Sequence, residues 1–201
     1  MHDCYVTTTL FNSWLFYLKS REKREKKAHT DFLNCLNKVK TEPTEAMQRG
    51  IEFEDMVRLC DGKQLYSRKD DTVNEIVDYI SGGLWQQTVT KTIEVNGLKV
   101  LVYGKADVIE KDTIYDIKRV KHYEIGKYGH SVQHKLYLFC TGLPIFKYLV
   151  SDGQSVFVET YTSYKNLNAD VQALIIEFFE WLQKVDLFET YFEKWKGEDK
   201  A

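Results

Sequence analysis

Asp107, Asp116 and Lys118 are the residues whose types and spacing point most directly to chemistry. They lie in one stretch, Tyr103-Gly104-Lys105-Ala106-Asp107-Val108-Ile109-Glu110-Lys111-Asp112-Thr113-Ile114-Tyr115-Asp116-Ile117-Lys118, which reads as two strands joined by a turn. If Lys111 and Asp112 form a two-residue turn, Glu110 pairs with Thr113, and counting back along the ladder sets Asp107 opposite Asp116. Both carboxylates then project from one face. Lys118 joins them because strand side chains alternate with period two. A three-residue turn would shift the register by one and separate the acids. Like charges placed opposite one another disfavour pairing by roughly 0.2–1 kcal/mol, so a hairpin gains nothing from this arrangement. A divalent cation reverses the sign, since two carboxylates with water and phosphate oxygens are the hard-oxygen set preferred by Mg²⁺ or Mn²⁺. A neighbouring lysine would position an attacking water or stabilise charge in the transition state. The competing reading is an ordinary exposed Asp–Lys pair on an edge strand, and on Asp116-Ile117-Lys118 alone that reading is the stronger.

Two flanking stretches add to the set. Gly50-Ile51-Glu52-Phe53-Glu54 falls in a helical pattern, where glycine costs about 1 kcal/mol relative to alanine, so close packing against another backbone is expected at Gly50. Glu54 follows Met47 by seven residues and Ile51 by three, which puts an acid on or beside the expected buried stripe, in want of a cation or a donor. Glu52 is the alternative if the register differs. Gln133 and Tyr137 are one helical turn apart, so an amide and a phenol share a face. His130 and His134 also share a face, but no third ligand is spaced with them, and surface histidines are the simpler account.

Taken in order, Gly104-x-x-Asp107, a short hairpin and Asp116-x-Lys118 resemble the core motif of PD-(D/E)XK nucleases, especially the RecB-like and phage-type exonuclease branch. Gly50 with Glu54 resembles that family's upstream helix motif, and Gln133-x-x-x-Tyr137 its downstream one. The resemblance spans residues 50 to 140, with Thr9 to Leu18 matching the opening helix of RecB-like domains; Ala106 stands where the family name records a proline. It implies an α/β, restriction-endonuclease-like core, a central mixed β-sheet flanked by helices. It also implies an exonuclease that hydrolyses phosphodiester bonds in DNA, at single- or double-stranded ends, in recombination, repair or phage DNA processing. On that resemblance Asp107, Asp116, the backbone carbonyl of Ile117 and Glu54, directly or through water, hold Mg²⁺ or Mn²⁺. Lys118 positions the attacking water, and Gln133 and Tyr137 orient the lysine, the water or a phosphate. Some RecB-like relatives carry an iron–sulfur cluster; Cys4, Cys35, Cys60 and Cys140 are too scattered for one, so no cluster is expected. The alternatives are a restriction-like endonuclease and an inactive nucleic-acid-binding module on the same fold. Retention of both acids and the lysine speaks against the second.

These residues need elements to hold them. Residues 1–85 read as mainly helical, with an apolar stretch from Leu10 to Leu18, a mixed-charge run from Lys19 to Lys27, a helix from Thr44 to just before Asp61-Gly62, and a capping box at Thr72-Val73-Asn74-Glu75. Residues 86–163 read as a sheet with one inserted helix, which begins after Tyr128 and closes at Gly142-Leu143-Pro144; Asn96-Gly97 is a strong hairpin signal. Residues 164–201 read as two helices, the last rich in aromatics. One domain, residues 1–201, is expected from a chain of 201 residues with 43% apolar content. Trp181, Phe188, Tyr191, Phe192 and Trp195 are expected in the core or at a homo-oligomer contact. No apolar run is long enough for a membrane span and no secretory signal opens the chain, so a cytoplasmic location is expected. The formal net charge of -2 gives no overall attraction to DNA. Binding must rest on a local basic surface, and Lys118, Arg119, Lys121, His122 and Lys127 form the best candidate track, with Arg119, Lys121 and Lys127 as its DNA contacts.

Overall fold

Two tight turns set the register of the central strands. Asn96 and Gly97 both take positive φ, 51° and 79°, as a two-residue hairpin turn requires, and Lys111 (φ 49°) opens the second. They join β2 (Leu84–Val95), β3 (Leu98–Glu110) and β4 (Thr113–Arg119) into an antiparallel meander. Glu110 pairs with Thr113, as the two-residue turn demands. A computed structural model describes residues 2–21 and 24–197.

The other elements are β1 (Cys4–Thr7), α1 (Thr8–Lys19), α2 (Glu25–Leu36), α3 (Glu45–Lys63), α4 (Asp71–Ile80), α5 (Gln133–Thr141), β5 (Ile145–Ser151), β6 (Val156–Thr162), α6 (Leu167–Lys184) and α7 (Phe188–Lys194). Six strands make one mixed sheet. β5 runs parallel to β4 and antiparallel to β6. β1 lies parallel to β3, pairing Cys4 to Thr7 with Val100 to Tyr103. This strand departs from the mainly helical reading of residues 1–85; the alternation in Cys4-Tyr5-Val6-Thr7 is too short to announce it.

Because β2 runs along nearly the whole of β3, β1 and β4 must both lie on its other side. β1 takes residues 100–103 and β4 takes 108–110, so the chain between them faces a gap in the sheet.

Helices cover both faces. Phe53, Val57, Cys60, Val73, Ile76 and Ile80 of α3 and α4 pack on Val108, Tyr115, Ile117 and Leu149. On the opposite face α1, α2, α5, α6 and α7 enclose the larger cluster, centred on Trp14, Phe146, Tyr148 and Phe178. The aromatic C-terminal stripe belongs to this core: Tyr191 and Trp195 are buried, and their polar atoms donate to Tyr5 O (2.9 Å) and Leu36 O (2.7 Å). No helix among the described residues is long and apolar enough to cross a membrane.

Several local expectations are corrected. α3 does start after the Thr44 cap, but it continues through Gly62 to Lys63, where Gln64 ends it in the left-handed region. Its buried stripe is Phe53, Val57 and Cys60, whereas Met47 and Ile51 are exposed; a core at the helix's middle and end does not extend to its first turns. Asp70, not Thr72, caps α4, because the Thr72 hydroxyl is held by Asp70 and Ser151. The run from Lys19 to Lys27 is no single helix face, since α1 ends at Lys19 and α2 begins at Glu25, with Glu22 and Lys23 outside the described residues. His130 is exposed outside α5, but His134 is no surface histidine: it is 6% exposed and stacks on Tyr161 at 3.9 Å.

Burial, with Lys135 nearby, outweighs the opposing Glu159 charge and lowers the His134 pKa to about 4. The folded state then binds fewer protons at this site than the unfolded state between about pH 6.5 and 4. Stability should fall as the pH drops through that window, by up to about 3 kcal/mol. Urea unfolding of His134→Phe at neutral and acid pH is expected to show a flatter acid limb than the unaltered protein. An identical limb would mean that His134 is free to protonate in the fold.

Candidate active site

The gap in the sheet is where the acids stand. Val108 pairs with Tyr115, so Asp107 and Asp116 are the next pair in register, but regular pairing stops before them. The Asp107 side chain fills the break, its Oδ2 accepting the Ile117 backbone N–H at 2.8 Å. Asp116 is 1% exposed; one oxygen accepts from the Gln133 amide and the other meets the Lys118 ammonium. Thus the expected facing of Asp107, Asp116 and Lys118 holds, and Gln133, the first residue of α5, joins it.

Tyr137 sits one turn further along α5 and acts on the same gap. Its hydroxyl donates to Lys105 O at 2.8 Å. Its ring lies so close to Gly104 that a Cβ there would stand 2.3 Å from Tyr137 Cε1. The Gly104-x-x-Asp107 spacing thereby gains a physical reason: glycine admits the tyrosine that ties down the strand just before the first acid.

Glu54 approaches from α3, on the other side of the sheet. The Gln86 amide donates to its Oε1, while Glu52 points outward and pairs with Gln48 at 3.0 Å, so Glu54 is the helix acid at the site. Gln86 was not anticipated. It lies in β2 with φ 53°, conformationally costly for a non-glycine residue by about 1–3 kcal/mol, and it is the register partner that Asp107 lacks in an otherwise continuous ladder. Nothing in the local sequence announces this; Gln86-Gln87 reads as the start of an ordinary strand. Tyr148, the register partner of Asp116, and Tyr128, stacked on Tyr148 at 4.6 Å, complete the wall beside the acids.

The electrostatics show a crowded anionic site. Burial and the Asp116 charge push Asp107 well above the usual carboxylate range, and burial and Asp116 also raise Glu54. Burial opposes the charge on Lys118, but Asp116 and Asp107 outweigh it and hold the ammonium above its ordinary value. Fully ionised, these three acids and one lysine carry two uncompensated negative charges. Among the described residues, no three His, Cys, Asp or Glu side chains form a ready-made metal-binding group, and Lys118 occupies the Asp116 oxygen that an ion would need.

Residues that follow Lys118 and the first turns of α3 line a cleft of about 750 Å³, formed by Glu45, Ala46, Arg49, Arg119, Val120, Lys121, Lys127 and Asp152. It gathers Arg119, Lys121 and Lys127 as the sequence suggested and adds Arg49, which sequence reading missed. Arg119 is committed elsewhere. Its guanidinium bonds Asp70 (3.0 Å) and Ser151 (2.5 Å) and lies over the Phe53 ring, because Arg119 falls on the α3–α4 face of β4. Lys121 and Lys127 face solvent, as does Arg49, which pairs with Glu45 one turn before it at 3.7 Å.

No protein-family model and no curated protein sequence matches the chain. Solved structures do. SSO0001 superposes with a TM-score of 0.55 at 12% identity, covering 90% of this chain and 78% of that one. An alkaline exonuclease, LHK-Exo, from Laribacter hongkongensis gives 0.50 at 14% identity over 94% of this chain and 91% of that one. The same exonuclease in complex with dAMP gives 0.51 at 15%, over 90% of each. The chain therefore shares its fold, a mixed sheet flanked by helices as expected, with an alkaline exonuclease.

Gly104→Ala should force the Tyr137 ring off the strand and destabilise the protein by about 1–3 kcal/mol in urea unfolding. Adding Tyr137→Leu should recover part of that loss. If the double variant is as unstable as the sum of the single ones, the steric account of Gly104 is wrong.

Proposed function

We propose that the protein is a metal-dependent deoxyribonuclease, an exonuclease that hydrolyses DNA from its ends. One observation carries this reading: Asp107, Asp116, Glu54 and Lys118, drawn from a hairpin and a helix across the sheet, converge on one spot, three acids around one lysine, and the chain that follows Lys118 runs into a cleft lined by basic residues. The fold shared with an alkaline exonuclease supports it.

The donor set fits a hard divalent cation, Mg²⁺ or Mn²⁺, because it is all oxygen and carries the excess negative charge that such an ion offsets. Asp107, Asp116 and the Ile117 carbonyl would hold it, with Glu54 directly or through water. The bound ion would activate water and neutralise charge on the phosphate. Displaced from Asp116, the Lys118 ammonium would orient that water for in-line attack on phosphorus and stabilise the charge that builds on the phosphate oxygens. Gln133 keeps the Asp116 carboxylate aimed, and Tyr137 fixes the strand that carries Asp107. Lys121, Lys127 and Arg49 would neutralise backbone phosphates in the cleft. The exonuclease preference over an endonuclease rests on the Gln133-x-x-x-Tyr137 helix and on the lack of an evident recognition module.

End-labelled linear single-stranded DNA, linear duplex and closed circular DNA, incubated with Mg²⁺, Mn²⁺ or EDTA, test the reading. Linear substrates should be degraded with metal and spared in EDTA, and closed circles should survive. Asp107→Asn, Asp116→Asn and Lys118→Ala should each lower the rate at least a hundredfold while the proteins stay folded. Undiminished cleavage by a folded Asp116→Asn protein would rule the assignment out, and cutting of circles would redirect it to an endonuclease.

A further inference from the structure

Gly50 lies in the interior of α3, where a glycine weakens a helix, yet a Cβ built on it would meet no atom within 4 Å. Close packing against another backbone, the usual structural reason for such a residue, is absent. What distinguishes Gly50 is its place. One turn before it on α3, Ala46 lines the basic cleft with Glu45 and Arg49; one turn after it stands Glu54, inside the acid cluster. Gly50 thus lies on the helix midway between a residue that lines the cleft and one in the acid cluster. Its neighbours Met47 and Ile51 are 60% and 47% exposed, so this stretch is open to solvent and apolar at its margin.

We propose that Gly50 is a substrate-clearance residue: the sugar–phosphate backbone of a DNA strand passes over α3 at this bare position, between the Arg49, Lys121 and Lys127 cations and the acid centre. The proposal rests on the nuclease reading and goes beyond it by fixing the strand's path. A flat stretch of helix backbone lets the strand sink towards Glu54, and the stability forgone is the cost of that access. Met47 and Ile51 then lie where bases leave the backbone, apolar contacts of the kind an unpaired strand end offers.

Gly62 supplies an internal control. It lies in the same helix, also with nothing within 4 Å of its Cβ position, but twelve residues from Gly50 at the far end of α3. Binding of a fluorescein-labelled single-stranded oligonucleotide and its duplex is measured by anisotropy in EDTA, where no cleavage occurs, together with thermal unfolding. Gly50→Ala should raise Tm by roughly 2–4 °C yet weaken DNA binding at least threefold. Gly50→Leu should weaken it tenfold or more with the fold retained, and Gly62→Ala should bind as the unaltered protein does. With Mg²⁺ present the same Gly50 variants should raise KM more than they lower kcat. If the unaltered protein binds DNA and the Gly50 variants bind equally well, the clearance role is overturned and the nuclease reading stands. If Gly62→Ala loses as much binding as Gly50→Ala, the position-specific path is overturned. If the unaltered protein neither binds nor cleaves DNA, both fall.

Discussion

The structure turns on the interruption in the pairing of β3. A strand with β2 along one side meets two different neighbours on the other, β1 and then β4, and the residues between them have no strand to bond to. Backbone polar groups inside a protein must find partners, so the gap has to be closed by side chains. Tyr137 supplies a donor to Lys105 O and Asp107 an acceptor for Ile117 N. The residues that repair the sheet are thus the residues of the site. Ligand sites in open α/β sheets favour places where the strand connections diverge, and this is such a place.

The same gap lets two helical layers act on one spot. α5 brings Gln133 to Asp116 from one side, and α3 brings Glu54 from the other, held by the strained Gln86. Nothing in folding alone favours gathering three carboxylates around one half-buried lysine. Desolvation and mutual repulsion raise Asp107 and Glu54; Lys118 opposes both, helped by the Ile117 N–H at Asp107 and by Arg58 at Glu54. A fold that retains such an arrangement gives up stability for the sake of a site.

What could be read from the sequence divides along the range of the interactions involved. The facing of Asp107, Asp116 and Lys118 was legible because a two-residue turn and period-two alternation are local rules. The Thr44 cap and the Asn96-Gly97 turn were legible for the same reason. β1 was not, since four residues pairing in parallel with a segment almost a hundred positions away leave no local trace. Met47 and Ile51 were misplaced because helical periodicity tells which residues share a face but not how far along the helix the core extends. The left-handed turn at Gln86, the inward commitment of Arg119 and the burial of His134 against Tyr161 all arise from tertiary neighbours. Gly50 is unusual for its cost in a helix, but the close backbone packing expected there is absent.

The placement of β1 also orders the way the chain closes on itself. The β2–β3–β4 meander joins residues through two-residue turns, so its loop-closure entropy is small, whereas docking β1 beside β3 links Cys4 to Val100 and Tyr5 to Trp195. Topology therefore favours bringing Asp107 and Asp116 into register by nearby contacts, with the first strand arriving after the sheet that receives it. Until that strand docks, the edge of β3 on the N-terminal side of the acids is unprotected. The segment least evident in the sequence is the one that turns an open strand edge into a walled gap.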